Sequence, residues 1–229
     1  FYPDFTISDY IGIRLRSFFR IKTVLITSLE LLFGEEKDKK IYEDISGHNV
    51  FFKKVSTLEK HIIDYFFKKS NHIIAISPFL EKIGKEIYGD KLTFLPLGIN
   101  KKIFYPELVM KKFEKNSKLK IICAAKVIKR KNPSIFLKLA EKYPKHDFIW
   151  FGDGELRENY LNLVKERNIK NLFFPGNISI IELGNQFRTS DLFILPSFAE
   201  GVPKSSQEAA ACGLPILLFG FYEPFSVIE

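Results

Sequence analysis

Residues 118–154 read KLKIICAAKVIKRKNPSIFLKLAEKYPKHDFIWFGDG, and this stretch decides the fold. Its opening, KLKIICAAK (118–126), is a short apolar run rich in isoleucine, which reads as a buried strand. KNPSIFLKLAEKYP follows with helical signals. Asn132 can cap, Pro133 suits a first turn whose N–H groups are unbonded anyway, and Pro144 closes the segment. HDFIWFGDG (146–154) returns to strand and ends in a glycine turn at Gly152 and Gly154.

The alternation continues downstream. ELRENYLNLVKERN (155–168) places Leu156, Tyr160 and the pair Leu163/Val164 on one helical face. NLFFPG reads as a strand, IIELGNQFRTS as a helix, DLFILPS as a strand, PKSSQEAAACG as a helix and LPILLFG as a strand. Strands alternating with helices at this spacing predict an α/β fold built on a doubly wound parallel sheet. Upstream the pattern is less regular. KTVLITSLELLF (22–33), HIIAISP (72–78) and LTFLPLGI (92–99) read as strands or strand starts. The stretch 51–69 reads as an amphipathic helix through Val55, Leu58, Ile62 and Phe66. The irregular NKKIFYP (100–106) reads as a linker, giving a partial first domain over 1–105 and a second over 106–229. The first has few strands, the second stops soon after a strand, and Met110 is the only methionine, so the chain is expected to be truncated at both ends.

Bulk properties narrow the function classes. With 229 residues, 46% hydrophobic and 27% charged, the chain has the make-up of a soluble globular protein. No apolar run reaches membrane-spanning length, and no signal-peptide layout is visible. Cys123 and Cys212 lie far apart, and four scattered histidines form no ligand pattern, so neither a disulfide framework nor a metal site is expected. A reducing, cytoplasmic setting fits. The net charge of +8 is concentrated between Lys111 and Lys131, which holds nine basic residues and one acid, Glu114. Such a run is most often a solvated face, and it can also attract phosphates, nucleic acid or an anionic membrane.

In open parallel sheets, ligands bind outside the carboxyl ends of strands. Three loops qualify. In AKVIKRKN, Lys126 and Lys131 can converge on a diphosphate, although a solvated lysine-rich loop is an equal reading. In FGDGEL, Gly152 and Gly154 can admit a ligand to the backbone, although a tight turn explains them as well. The third holds two glutamates, Glu200 and Glu208. Glu208 lies too far into its helix to cap it, in a surround of Ala-Ala-Ala-Cys-Gly that is unusually apolar for an exposed face.

The composite PSFAEGVPKSSQEAAACGLP (196–215) resembles the Glu-x7-Glu motif of retaining glycosyltransferases of the GT-B fold, specifically glycosyltransferase family 4. Pro196-Ser197, Glu200-Gly201, Glu208-Ala209 and Cys212-Gly213-Leu214-Pro215 all have counterparts in that pattern. AISPF (75–79), LPLGINKKIFYP (95–106), Lys131, FGDGE and FFPGNIS follow in the expected order, so the likeness covers roughly residues 70–220. It implies two Rossmann-like domains, acceptor-side then donor-side. Glu208 would bind ribose hydroxyls, Glu200 would face the donor sugar, and the Gly201–Val202 amides would lie near the diphosphate. Lys131 matches a phosphate-binding lysine. Lys126 stands where the family usually has arginine, keeping the charge without the two-pronged geometry.

The resemblance implies transfer of a sugar from a nucleotide-diphosphate sugar to a glycan, lipid-linked or protein acceptor, with retained anomeric configuration. No cofactor is implied, and the sequence has no Asp-x-Asp metal motif. Three departures stand out. The family's N-terminal glycine-rich loop is absent, LITSLELLF lacks its mid-domain histidine, and FGFYEPF replaces its glycine pair. The lysine-flanked helix at 51–69 suggests peripheral contact with the inner face of a membrane, against the plainer reading of a helix covering the first sheet. Two alternatives remain: a basic nucleic-acid binder, for which no binding module is present, and an inactive scaffold of the same fold.

Overall fold

A computed structural model of the chain describes residues 24–27, 65, 67–107, 117–198, 200 and 202–218. It divides into two compact units between Leu97 and Gly98.

In the first unit, strands β1 (Val24–Thr27), β2 (His72–Ala75) and β3 (Leu92–Phe94) form a parallel sheet in the order β1-β2-β3. Helix α1 (Pro78–Tyr88) connects the last two and carries an i,i+4 pair, Lys85 to Glu81, at 2.9 Å. The helix lies close against β3, since a Cβ on Gly84 would sit 2.3 Å from Leu92 Cδ1. Lys91 donates to the carbonyls of Phe67 and Lys68 at 2.6 and 3.1 Å, satisfying acceptors that a helix end leaves open. The strand expected over 92–99 is shorter. Leu95 N–H still bonds to Ala75 O at 2.9 Å, but Pro96 has no N–H to continue the ladder. Of the helix expected over 51–69, only Tyr65 and residues 67–69 are described, and they are helical. The rest of that stretch, the continuation of β1 beyond Thr27 and the basic residues at 111–115 lie outside the described residues.

The second unit alternates β4 (Lys120–Ala124), α2 (Pro133–Lys142), β5 (Asp147–Phe151), α3 (Arg157–Glu166), β6 (Leu172–Gly176), α4 (Ile180–Thr189), β7 (Leu192–Leu195), α5 (Lys204–Ala211) and β8 (Ile216–Leu218). All strand pairs are parallel, in the order β6-β5-β4-β7-β8. The chain starts at the sheet's centre, winds outward through β5 and β6, then returns to the other side of β4 for β7 and β8. This is the doubly wound sheet that the alternation predicts. A sheet covered on both faces needs apolar side chains at successive positions, which is why these strands read as continuous runs. Ile122, Cys123, Phe148, Trp150 and Phe193 are buried in its core. Phe136 of α2 meets Trp150 edge-on at 5.3 Å, and Phe187 of α4 meets Phe193 in the same way at 5.7 Å.

Residues 98–107 pack on this second unit. Phe104 is buried against Phe187, with ring centroids 5.9 Å apart. Arg188 of α4 donates to Ile103 O at 2.7 Å and lies over the Tyr105 ring at 4.2 Å. Gly184 makes room for this path, because a Cβ there would stand 2.7 Å from Ile103 O.

The amino edge of the sheet is closed by polar contacts. Lys118 pairs with Asp147 at 2.7 Å, Lys120 N–H donates to Asp191 Oδ2 at 2.8 Å, and Leu119 N–H donates to His146 Nδ1 at 3.1 Å. The Asn171 amide donates to the carbonyls of Ala140, Tyr143 and His146 at 3.0, 3.2 and 2.9 Å, tying the end of α2 to β6. At the other end of α2, Pro133 occupies the first turn as expected, but Asn132 makes no side-chain cap. It is left-handed (φ 53°, ψ 55°), and its Oδ1 accepts instead from the Ser134 hydroxyl at 2.6 Å.

Candidate functional site

The strand order fixes where a site can form. Connections from β4 and β7 run in opposite directions across the sheet, so a crevice opens between their carboxyl ends. The chain leaving β4 passes through residues 125–128 into a tight turn, Lys129–Lys131. The chain leaving β7 runs through residues 196–203 into α5. The two loops are joined by the backbone, with Phe198 N–H donating to Arg130 O at 2.9 Å.

Glu200 sits at this junction, only 7% exposed. Its Oε1 forms a close ion pair with Lys131, whose side chain is 15% exposed. Its Oε2 lies 3.4 Å from Arg130 Nη1. Both carboxylate oxygens therefore meet a cation, which offsets the cost of burying the charge. Lys131 and Glu200, singled out separately from sequence, are thus brought together. Arg130 was not anticipated, because within the triplet Lys129-Arg130-Lys131 nothing distinguishes it from a solvated loop residue. Lys126 is exposed, and no ion pair joins it to this cluster among the described residues.

Glu208 lies on the first turns of α5 and is 6% exposed. Burial pushes its carboxyl up from the usual range, an effect partly offset by Lys204 at 3.7 Å. Beside it, Gln207 is also buried, and its Oε1 has no hydrogen-bond partner among the described residues. Pro203 stands just ahead of the helix, and its carbonyl accepts from Ser206 N–H at 3.0 Å and the Ser206 hydroxyl at 2.7 Å. Val202 is half-buried next to it, while Gly201 lies outside the described residues.

Gly152 and Gly154 follow β5 at the same edge, and the structure supplies a reason for both. The β5 loop runs against the β4 loop: Ala125 N–H donates to Phe151 O and Val127 N–H to Asp153 O, each at 3.0 Å. A Cβ on Gly152, whose φ is +131°, would stand 2.1 Å from Ala125 O, and one on Gly154 would stand 2.6 Å from Val127 O. Close approach of two backbones requires glycine there. Trp150 completes the lock by donating from Nε1 to Ala125 O at 2.8 Å.

A carboxylate held by two cations at the crevice, with a second buried carboxylate on the adjoining helix, suits a ligand bearing both hydroxyls and negative charge. Carboxylates accept hydrogen bonds from hydroxyls, while cations and the amino end of α5 favour phosphate. Among the described residues, no group of three or more His, Cys, Asp or Glu side chains is placed to hold a metal ion.

The chain is similar in sequence and fold to known proteins. The chain is 31% identical over 173 residues to the alpha-galactosylglucosyldiacylglycerol synthase of Streptococcus pneumoniae, covering 69% of this chain and 46% of that protein. It is 29% identical over 151 residues to the UDP-Gal:alpha-D-GlcNAc-diphosphoundecaprenol alpha-1,3-galactosyltransferase of Escherichia coli, covering 58% of this chain and 38% of that one. The chain thus spans less than half the length of either curated relative. Among solved structures, Anabaena HepE in complex with UDP-glucose matches 96% of this chain and 59% of its own, with a TM-score of 0.70 at 13% identity. That likeness establishes the GT-B fold. Residues 106–229, more than half of the sequence, match the family described as glycosyl transferases group 1, and the chain belongs to that family.

Proposed function

We propose that this chain carries the donor site of a retaining glycosyltransferase of family 4 type. It would transfer a sugar from a nucleotide-diphosphate sugar to a hydroxyl of a glycan or lipid-linked acceptor. The observation that carries the reading is the Lys131–Glu200 pair at the point where the sheet's connections diverge, with Glu208 buried on the next helix. In this reading, the second unit, which includes residues 98–105 ahead of the expected 106–229, holds the donor, and the first contributes to the acceptor side.

Glu208 accepts hydrogen bonds from two ribose hydroxyls, Glu200 from a hydroxyl of the donor sugar. Between them the diphosphate lies toward Lys131, Lys126 and the amides at the start of α5, including those of Gly201 and Val202. Gly152 and Gly154 keep the neighbouring loop low enough to leave the crevice open. As the bond from the anomeric carbon to the phosphate oxygen breaks, negative charge grows on the diphosphate. Fixed cations and a helix amino end stabilise that charge without a metal. The acceptor oxygen bonds to the anomeric carbon, and its proton leaves on the departing nucleoside diphosphate, so that charge and atoms balance. Attack from the face the diphosphate leaves retains the configuration.

A lipid-linked acceptor is supported by the two curated relatives, whose names specify a diacylglycerol glycolipid and a diphosphoundecaprenol substrate. Among the described residues, no helix is long and apolar enough to cross a membrane. Contact with the inner face of a membrane would therefore be peripheral in this reading. Calorimetry with UDP, GDP, ADP and their sugars, on wild type and Glu208→Ala, tests the donor site. One nucleotide should bind selectively, and the variant should bind it about tenfold more weakly or worse. A folded wild type that binds none of them overturns the proposal.

A further inference from the structure

We infer that Arg130 is a phosphate-gripping residue of this site that exchanges partners when the donor binds: its guanidinium leaves Glu200 Oε2 for the sugar-side phosphate, and the vacated oxygen accepts a hydroxyl of the donor sugar. The inference rests on the reading of the crevice as a donor site.

Three observations carry it. The first is the unequal grip of the two cations on Glu200. Lys131 holds Oε1 closely and is largely buried, whereas Arg130 stands 3.4 Å from Oε2 with 41% of its side chain exposed. An incoming anion displaces the longer, wetter contact first, because less desolvated interaction is lost. The second is the anchoring of Arg130. Its carbonyl accepts from Phe198 N–H at 2.9 Å, and left-handed Asn132 ends the turn that carries it. The root of the side chain is therefore fixed beside Glu200, with the guanidinium at the wetter side of the pair. The third is chemical. A guanidinium presents two parallel N–H groups that match a phosphate, which neither Lys126 nor Lys131 can do.

The position within the ligand follows. Glu200 faces the sugar, so a cation sharing Glu200 meets the phosphate nearest the sugar rather than the one next to ribose. Arg130 should accordingly discriminate a nucleoside diphosphate from the matching monophosphate.

The test is calorimetric titration of the chain with UDP, GDP and ADP and with UMP, GMP and AMP, at fixed ionic strength. Wild type is compared with Arg130→Ala and Arg130→Lys. For whichever diphosphate binds, Arg130→Ala should weaken binding by on the order of tenfold, while its monophosphate changes by less than about twofold. Arg130→Lys, which keeps the charge and loses the fork, should fall between. Equal weakening of monophosphate and diphosphate assigns Arg130 a purely structural role and overturns the inference. Unchanged diphosphate binding in Arg130→Ala also overturns it, and leaves the donor-site proposal standing. If wild type binds no diphosphate, both fall together.

Discussion

Lys131 and Glu200 stand 69 positions apart in the sequence, yet their side chains form an ion pair that joins the loop leaving β4 to the loop leaving β7. The pair spans the crevice that the strand order creates, so it bears on stability and, under the proposed function, on donor binding.

Removing one member should be worse than removing both. Lys131→Ala leaves a buried carboxylate with Arg130 as its remaining cation among the contacts described, and should cost about 2–4 kcal/mol. Adding Glu200→Gln to that background should restore at least half of the loss, since a neutral amide tolerates burial better. Urea unfolding of the two single variants and the double variant measures the coupling. Purely additive losses would show that the pair does not act as a unit.

Glu208 should be a residue whose function costs stability. Burial raises its carboxyl above the value it has in the unfolded chain. Between those two values the folded state binds more protons than the unfolded state, so stability falls as pH rises through that window. Glu208→Gln should therefore melt higher than wild type at pH 7, with the gap closing toward pH 4. Each 1 kcal/mol gained moves the midpoint by about 2–4 °C in a chain of this size. The same variant should lose nucleotide binding. A lower melting point at pH 7 would refute this account.

Gly152 and Gly89 both have positive φ, but their surroundings differ. A Cβ on Gly152 would collide with Ala125 O, while one on Gly89 would meet nothing within 4 Å among the described residues. Gly89→Ala should cost only the left-handed penalty, about 1 kcal/mol, whereas Gly152→Ala should cost about 2–4 kcal/mol. Comparable losses for the two in chemical denaturation would rule out the backbone contact as the reason for glycine at 152.

Arg188 should hold residues 103–107 against α4. Its side chain is 8% exposed, and Arg188→Ala removes both the bond to Ile103 O and the contact with Tyr105. The expected loss is about 1–3 kcal/mol. Exchange of the Ile103 and Phe104 amides, which donate to Asn100 O, should accelerate, while amides of β4 and β5 keep their protection. Uniform acceleration across the sheet would contradict a local clamp.

The fold of the second unit was largely legible because a sheet buried on both faces requires uninterrupted apolar runs such as those at 120–124 and 147–151. The first unit was less so. There Pro96 cut short a strand that hydrophobicity alone extended to residue 99. At the candidate site, residue types and loop positions singled out Glu200, Glu208 and Lys131, but not their arrangement. Spacing along the chain reports neighbours within one helix or strand, and Lys131, Arg130 and Glu200 meet only once the strands have been ordered. Asn132 shows a local version of the same limit. A capping residue type was present, yet the left-handed backbone turned its side chain to Ser134.

The two edges of the larger sheet have divided their duties. Lys118–Asp147, the Asp191 and His146 acceptors and the three hydrogen bonds donated by Asn171 reinforce the amino edge, away from the glutamates. Under the proposed function, heat-hardening and substrate choice can therefore be tuned as separate traits. Substitutions that strengthen the amino rim should leave the crevice untouched, and loop exchanges at the opposite rim can reshape it on a chassis that does not have to be rebuilt each time.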